Sequence, residues 1–345
     1  MKIPSFLIVY RTLIVACFFY SGSGPAPARA QQTKKILDLN GKWKFTIVDR
    51  TEWALPQYDD SKWEEIRVPS TWESQGYYGY NGYAWYRKTV QIPGTFENKS
   101  LFIDLGYIDD VDEVYFNGEL IGYSGSFPPH FQTAYTARRI YHIPASLIRS
   151  DKGNVIAVRI FDAQGEGGIV NGDICLREEV NPVPLDIDLQ GVWKFRTGDD
   201  PAWNNPTPDA SGWFDIIVPG NWENQGYNDY NGFAWYFKTF RIDEDLKGRS
   251  LLLLLGKIDD INEVYVNGIL TGTTGNISND PRKIRYSDEW LRLRVYALPD
   301  NILKYQSVNI IAVRVYDGGQ GGGIYQGPVG IITKEKYVEY RQKNR

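Results

Sequence analysis

The loop from Gly76 to Tyr83 sets Tyr77, Tyr80 and Asn81 among glycines just ahead of a strand, and the same residue types return as Tyr227, Tyr230 and Asn231. Flat aromatic faces beside fixed amides suit a pyranose ring: the rings cover its apolar side and the amides meet its hydroxyls. The same tyrosines have a second reading, as packing over the end of a β-sandwich. Trp85 and Arg87 lie at the opposite strand parity to Tyr86, Val90 and Ile92. If that apolar set faces a core, Trp85 and Arg87 face outward, as does Trp235, and an exposed indole beside a cation would also suit a sugar. The alternative is that a loop or the sister copy covers them. Trp72 and Trp222, each after a Val-Pro pair, are expected in the core.

Asp109, Asp110 and Glu113 have the residue types for paired-carboxylate catalysis or calcium. They recur in the second copy at the entry to a hairpin strand, where carboxylates accept from loop N–H groups, and no Asp-x-Asp-x-Asp-Gly ladder surrounds them. A structural role is therefore expected. Two histidines, His130 and His142, and one cysteine outside the first 30 residues offer no transition-metal set.

These residues are positioned by a duplication. Residues 72–90 and 222–240 match at 13 of 19 positions with an offset of 150, the size of a whole domain rather than of a solenoid repeat. Alternation in GKWKFTIV, with Trp43, Phe45 and Ile47 on one side, marks a half-buried strand, and GVWKFRT with Trp193 and Phe195 repeats it. Residues 105–118 agree with 255–268 at 10 of 14 positions, ending in Asn117-Gly118 and Asn267-Gly268, which suit tight hairpin turns. The offset then grows to 155 and holds through NVIAVRIFD and NIIAVRVYD. About eight short strands per copy, divided by Gly, Pro and Asn turns, predict an all-β chain of two tandem jelly-roll sandwiches. The divisions read 1–30 leader, 31–180 first sandwich and 181–345 second, joined by a linker with two prolines that leaves little slack.

Residues 1–30 read as a secretory signal: Lys2 and Arg11, an apolar run, then Ala28-Arg29-Ala30. A lipoprotein anchor at Cys17 is the minor alternative. Secretion to the periplasm, cell surface or medium follows, with no transmembrane segment in the mature chain. Removing the leader takes Lys2, Arg11 and Arg29 and no acid, so 38 basic residues become 35 against 42 acidic, a formal charge of −7 that argues against nucleic acid. With Cys175 alone in the mature chain, no intrachain disulfide is expected.

The ordered set Leu39-Asn-Gly-Lys-Trp43, Val68-Pro-Ser-Thr-Trp72, Ala84-Trp-Tyr-Arg-Lys88, Gly106 to Gly118 and Asn154 to Asp162 occurs twice, with Gln190, Gly220, Asn221 and Phe237 as variants. It resembles the sugar-binding, galactose-binding-like jelly-roll domain of family 2 glycoside hydrolases, the β-galactosidase and β-glucuronidase group, and is similar to the β-domain of sialate O-acetylesterases. The resemblance implies that the loop after the last long strand approaches a sugar, which makes Asp162, Gln164 and Glu166 candidates, with Asp317 answering Asp162. Glu166 and Gln164 become Gly321 and Gly319 in the second copy. No cofactor is expected, and the resemblance allows at most a structural cation, calcium, with no ligand set legible in the sequence.

In those enzymes this domain is an accessory to a catalytic barrel carrying two glutamates. The chain is accordingly expected to be a non-catalytic carbohydrate-binding protein for galactoside- or glucuronide-type glycans, or an accessory to polysaccharide degradation. Two alternatives stand beside it: a structural module that docks cell-surface proteins, and a glycosidase or sugar deacetylase accessory chain.

Overall fold

Alternating side chains place one face of each strand indoors, and the computed structural model, which describes residues 32–150, 152–205, 211–278 and 281–344, follows that pattern. The expected leader, with Cys17, lies outside the described residues. The first copy runs through β1 (Thr33–Asp38), β2 (Gly41–Ile47), β3 (Glu64–Val68), β4 (Gly82–Val90), β5 (Leu101–Asp109), β6 (Val111–Phe116), β7 (Glu119–Ser124), β8 (Arg138–Ile143), β9 (Asn154–Asp162), β10 (Gly168–Asn171) and β11 (Cys175–Glu179). The second runs through β12 (Ile187–Asp188), β13 (Gly191–Thr197), β14 (Phe214–Val218), β15 (Gly232–Arg241), β16 (Leu251–Asp259), β17 (Ile261–Val266), β18 (Ile269–Thr274), β19 (Leu293–Leu298), β20 (Val308–Asp317) and β21 (Gly323–Thr333).

Each copy is an antiparallel sandwich. The six-stranded sheet β3-β2-β4-β9-β6-β7 packs on β1, β11, β10, β5 and β8, and the sheet β14-β13-β15-β20-β17-β18 packs on β12-β21-β16-β19. Trp43, Phe45, Tyr86 and Val158 meet Ile103 and Leu105 in one core. Trp193, Phe195, Tyr236 and Val313 meet Leu253 and Leu255 in the other. Trp72 and Trp222 are fully buried, as expected.

Two local devices shape the sheets. Asn117-Gly118 and Asn267-Gly268 all have positive φ, which lets them turn the hairpins. Gly106 and Gly256 sit at register shifts with φ +63° and +59°; a Cβ there would stand 2.0 Å from the Asn171 carbonyl oxygen and 1.7 Å from that of Gln326. Only glycine lets the neighbouring backbone pass so close.

The sandwiches touch across β7. Gly125 N–H donates to the Asn224 carbonyl at 2.7 Å, Tyr123 donates to the Asp215 carbonyl, and Ser100 donates to Asp188 at 3.2 Å. Cys175 is a free, buried thiol. The polar residues after β21 form helix α1 (Lys334–Lys343), none of whose residues is buried. Among the described residues no helix is long and apolar enough to cross a membrane.

Candidate functional site

Strand register brings distant loops to one end of each sandwich. Gly82 pairs with Asp162 and Gly168 with Asp109, so the loop before β4, the end of β5 and the glycine-rich loop after β9 meet. Glu73 ties them: its Oε2 accepts from Gly167 N–H at 3.1 Å, while Trp72 N–H reaches the Gly167 carbonyl at 3.0 Å. The second copy repeats this with Gly232 and Asp317, Gly323 and Asp259, and Glu223 accepting from Gly322 N–H at 2.9 Å.

The paired tyrosines take the packing role. Tyr77 lies edge-on 4.8 Å from Phe45 and donates to Glu64 at 2.9 Å; Tyr80 packs 5.9 Å from Trp72 and donates to the Tyr83 carbonyl at 2.8 Å. Burial, then the bond to Glu64, pushes the Tyr77 hydroxyl up to about 12. Tyr227 and Tyr230 sit likewise against Phe195 and Trp222 at 4.7 and 5.6 Å. Asn81 and Asn231 are exposed. The aromatic face open to solvent belongs instead to Tyr78, 82% exposed, which the sequence reading passed over. By type it cannot be told from Tyr77; only its replacement by Asn228 in the second copy sets it apart. Gln164 and Glu166 are exposed at the same end, whereas Asp162 and Asp317 are fully buried.

Trp85, Arg87 and Trp235 lie on the face away from the main core, as parity predicts, but they are not exposed: the chain between β2 and β3, and its counterpart in the second copy, folds back over that face. Trp85 is 0% exposed, edge-on to Trp53 at 6.1 Å and stacked on Tyr115 at 5.9 Å. Arg87, 1% exposed, donates to Asp60 at 2.8 Å and to the carbonyls of Trp53 and Leu55. Trp235 is covered in the same way by Trp203 and Tyr265. Water and ligand are excluded from this second aromatic layer. Glu113 also differs from expectation: it pairs with Arg159 at 3.0 Å rather than capping loop N–H groups.

Asp110 does what the sequence predicts, its Oδ2 accepting from Ala163 N–H at 3.0 Å, and Asp260 accepts from Gly318 N–H at 3.0 Å. The register adds a third acid to each pair. Carboxylate oxygens of Asp109, Asp110 and Asp162, and of Asp259, Asp260 and Asp317, all lie within 4.8 Å of one another. Burial, then a hydrogen bond and like charge from Asp110, pushes Asp109 up to about 7; the same causes from Asp260 push Asp259 up to about 8. Burial pushes Asp162 up to about 6. One oxygen of Asp162 and one of Asp317 has no hydrogen-bond partner, so the donors present fit a cation.

A cleft of about 210 Å³ opens between the two copies, lined among others by Tyr123, Arg138, His142, Asn221 and Asn224. Arg138 is drawn to Asp104 at 2.6 Å and Tyr123 to Asp215, which commits two of its polar side chains elsewhere. It is smaller than the roughly 300–1,000 Å³ of pockets that take drug-sized ligands.

No family model matches the chain. It is 28% identical over 106 residues to a putative β-glucuronidase of Formosa agariphila, covering 27% of this chain and 10% of that protein. It is 25% identical over 139 residues to β-galactosidase BoGH2A of Bacteroides ovatus, covering 37% and 15%. A β-galactosidase of Priestia megaterium is 30% identical over 121 residues, covering 26% and 12%. The chain thus spans between a tenth and about a sixth of the length of these relatives. Among solved structures, a Bacteroides uniformis β-glucuronidase aligns at 17% identity and TM-score 0.36 over 83% of this chain and 28% of the other. A β-glucuronidase from glycoside hydrolase family 2 aligns at 13% and 0.38 over 85% and 27%. These relatives are glycosidases, in keeping with the family resemblance of the motifs; the acetylesterase likeness rests on the motifs alone.

Proposed function

We propose that the chain recognises carbohydrate without cutting it, through the loop end of the first sandwich. The observation that carries this is the group of Tyr78, Asn81, Gln164 and Glu166: an open aromatic ring, two amides and a carboxylate on loops braced by Glu73. An aromatic face and hydrogen-bonding groups of both senses are the complement of a pyranose ring. The second copy keeps Asn231 but has Asn228, Gly319 and Gly321 in place of the other three, so binding is assigned to the first copy. The similarity to β-galactosidases and β-glucuronidases supports galactoside- or glucuronide-type glycans as ligands, met outside the cell after secretion. A structural calcium ion, not a reacting one, belongs to the same reading.

Immobilised plant, host and microbial polysaccharides test this. Retention of the pure protein on a galactoside- or glucuronide-bearing polymer supports it, with no release of dye from chromogenic glycosides or acetylated sugars. Absence of retention on every polymer refutes it, and carboxylate-dependent turnover would replace it with the glycosidase or deacetylase reading.

A second reading is favoured by one observation. The second sandwich exposes Ile269 and Leu270 on β18, and Trp290 and Leu291 between β18 and β19, each 42–52% accessible, apolar groups of the kind that dock a cell-surface protein. Pull-down from the cell envelope by a protein that binds no sugar would select it.

A further inference from the structure

We propose that each sandwich holds one calcium-class divalent cation on its acidic trio, Asp109, Asp110 and Asp162 in the first copy and Asp259, Asp260 and Asp317 in the second, and that the ion locks the glycine-rich loop to the end of β5 or β16. The placing rests on the calcium of the preceding reading, but not on sugar binding. Oxygen ligands stand 2.3–2.6 Å from calcium, so two ligands of one ion are at most about 5 Å apart. Oxygens within 4.8 Å of one another satisfy that limit in both copies.

The independent observation is the free oxygen. Asp162 and Asp317 are each 0% exposed, and each leaves Oδ2 without a hydrogen-bond partner. Their other oxygens are pinned, accepting from Gln164 N–H at 3.2 Å and Gly319 N–H at 3.0 Å, so the carboxylates are held in place. A buried, unpaired carboxylate oxygen is costly unless something cationic or a donor meets it.

No cationic side chain among the described residues supplies that charge. Among the described residues no salt bridge reaches any of the six acids. Arg139 donates to Asp112 and to the carbonyls of Ala134, Ala137 and Asp110. Arg294 donates to Asn262 and to the carbonyls of Glu289, Arg292, Ile258 and Asp260. Both arginines grip the backbone behind the acids rather than their carboxylates.

The donor set decides the kind of ion. Carboxylates without thiolate or imidazole select a hard cation over zinc or copper. The two copies show which residues the site needs: Asp112 has become Asn262, Gln164 has become Gly319 and Glu166 has become Gly321, yet all three acids of the trio are kept. The groups around the trio have drifted while the cation donors have not.

The mature protein, stripped with chelator and free of sugar, is titrated with calcium by calorimetry and with terbium by sensitised emission. Two ions per chain are expected, one after Asp162→Asn or Asp317→Asn, and none after both; calcium raises the thermal midpoint of the wild type but not of the double variant. Because the amide removes an unpaired buried charge, the variants in chelator melt no lower than the wild type. Wild-type protein that shows no heat, no terbium emission and no midpoint shift at millimolar calcium overturns the proposal, whatever the variants do. Binding that survives the double substitution overturns it too. Sugar retention is scored separately, so a protein that binds calcium and no glycan sinks the functional reading alone.

Discussion

The indole N–H of Trp85 donates to Asp49 at 3.0 Å, and Trp235 makes the same bond to Asp199 at 3.0 Å. The same carboxylates hold Arg159 and Arg314, and those guanidiniums lie 4.9 and 4.7 Å from the rings of Tyr83 and Phe233. The outer face of each six-stranded sheet is thus closed by aromatic rings and ion pairs, so its tryptophans contribute to stability rather than recognition.

Trp85→Ala is therefore expected to destabilise the first sandwich by about 3–5 kcal/mol, the usual cost of emptying a buried tryptophan site. Urea unfolding measures it. Sugar retention at temperatures where the variant remains folded should be unchanged.

Asp112 offers a second prediction, because the duplication has already made one of its variants. Asp112 accepts from Arg139 Nε at 2.7 Å and from Tyr141 at 2.7 Å; in the second copy Asn262 accepts from Arg294 Nε at 3.0 Å. An amide fills the position, so Asp112→Asn should cost less than about 1 kcal/mol. Asp112→Ala strands a buried guanidinium and should cost about 3–5 kcal/mol. The two are compared by the same unfolding titration.

Burial, with Lys238 acting in the same direction and Asp188 against it, holds His142 below its ordinary value of 6.5. The folded chain then binds fewer protons than the unfolded chain just below pH 6.5. The stability His142 contributes is complete above that pH and is lost as pH falls through 6.5 toward the folded value. The raised carboxyls of the acidic trios act with the opposite sign, so the quantity to read is the difference between wild type and His142→Gln. Thermal midpoints from pH 8 to pH 5 should fall more for the wild type, and parallel curves would contradict this.

The duplication made most of the fold legible, because two copies fix one register: the Asn-Gly hairpins, the offsets and the core tryptophans all follow from it. Parity correctly placed Trp85 and Arg87 on the outer face. What covers them was hidden, because the segment holding Trp53 and Trp63 has no strand period and reads only as a turn. The acidic trio was half legible. Asp109 and Asp110 are neighbours, but Asp162 joins them through strand pairing, Val111 facing Phe161 between β6 and β9 and Gly168 facing Asp109 between β10 and β5, a spacing that matches no ligand motif. Which tyrosine of the loop stays open was not legible at all, since Tyr77, Tyr78 and Tyr80 differ only in where the turn aims them.

The central claim, sugar recognition at the first sandwich's loop end, is tested most directly by calorimetric titration of galactoside and glucuronide oligosaccharides into wild type and Tyr78→Ala. One binding site per chain is predicted, weakened at least about tenfold in the variant, a loss of roughly 1.4 kcal/mol, with an unchanged thermal midpoint. Equal affinity in the two proteins, or no heat with any oligosaccharide, would contradict it.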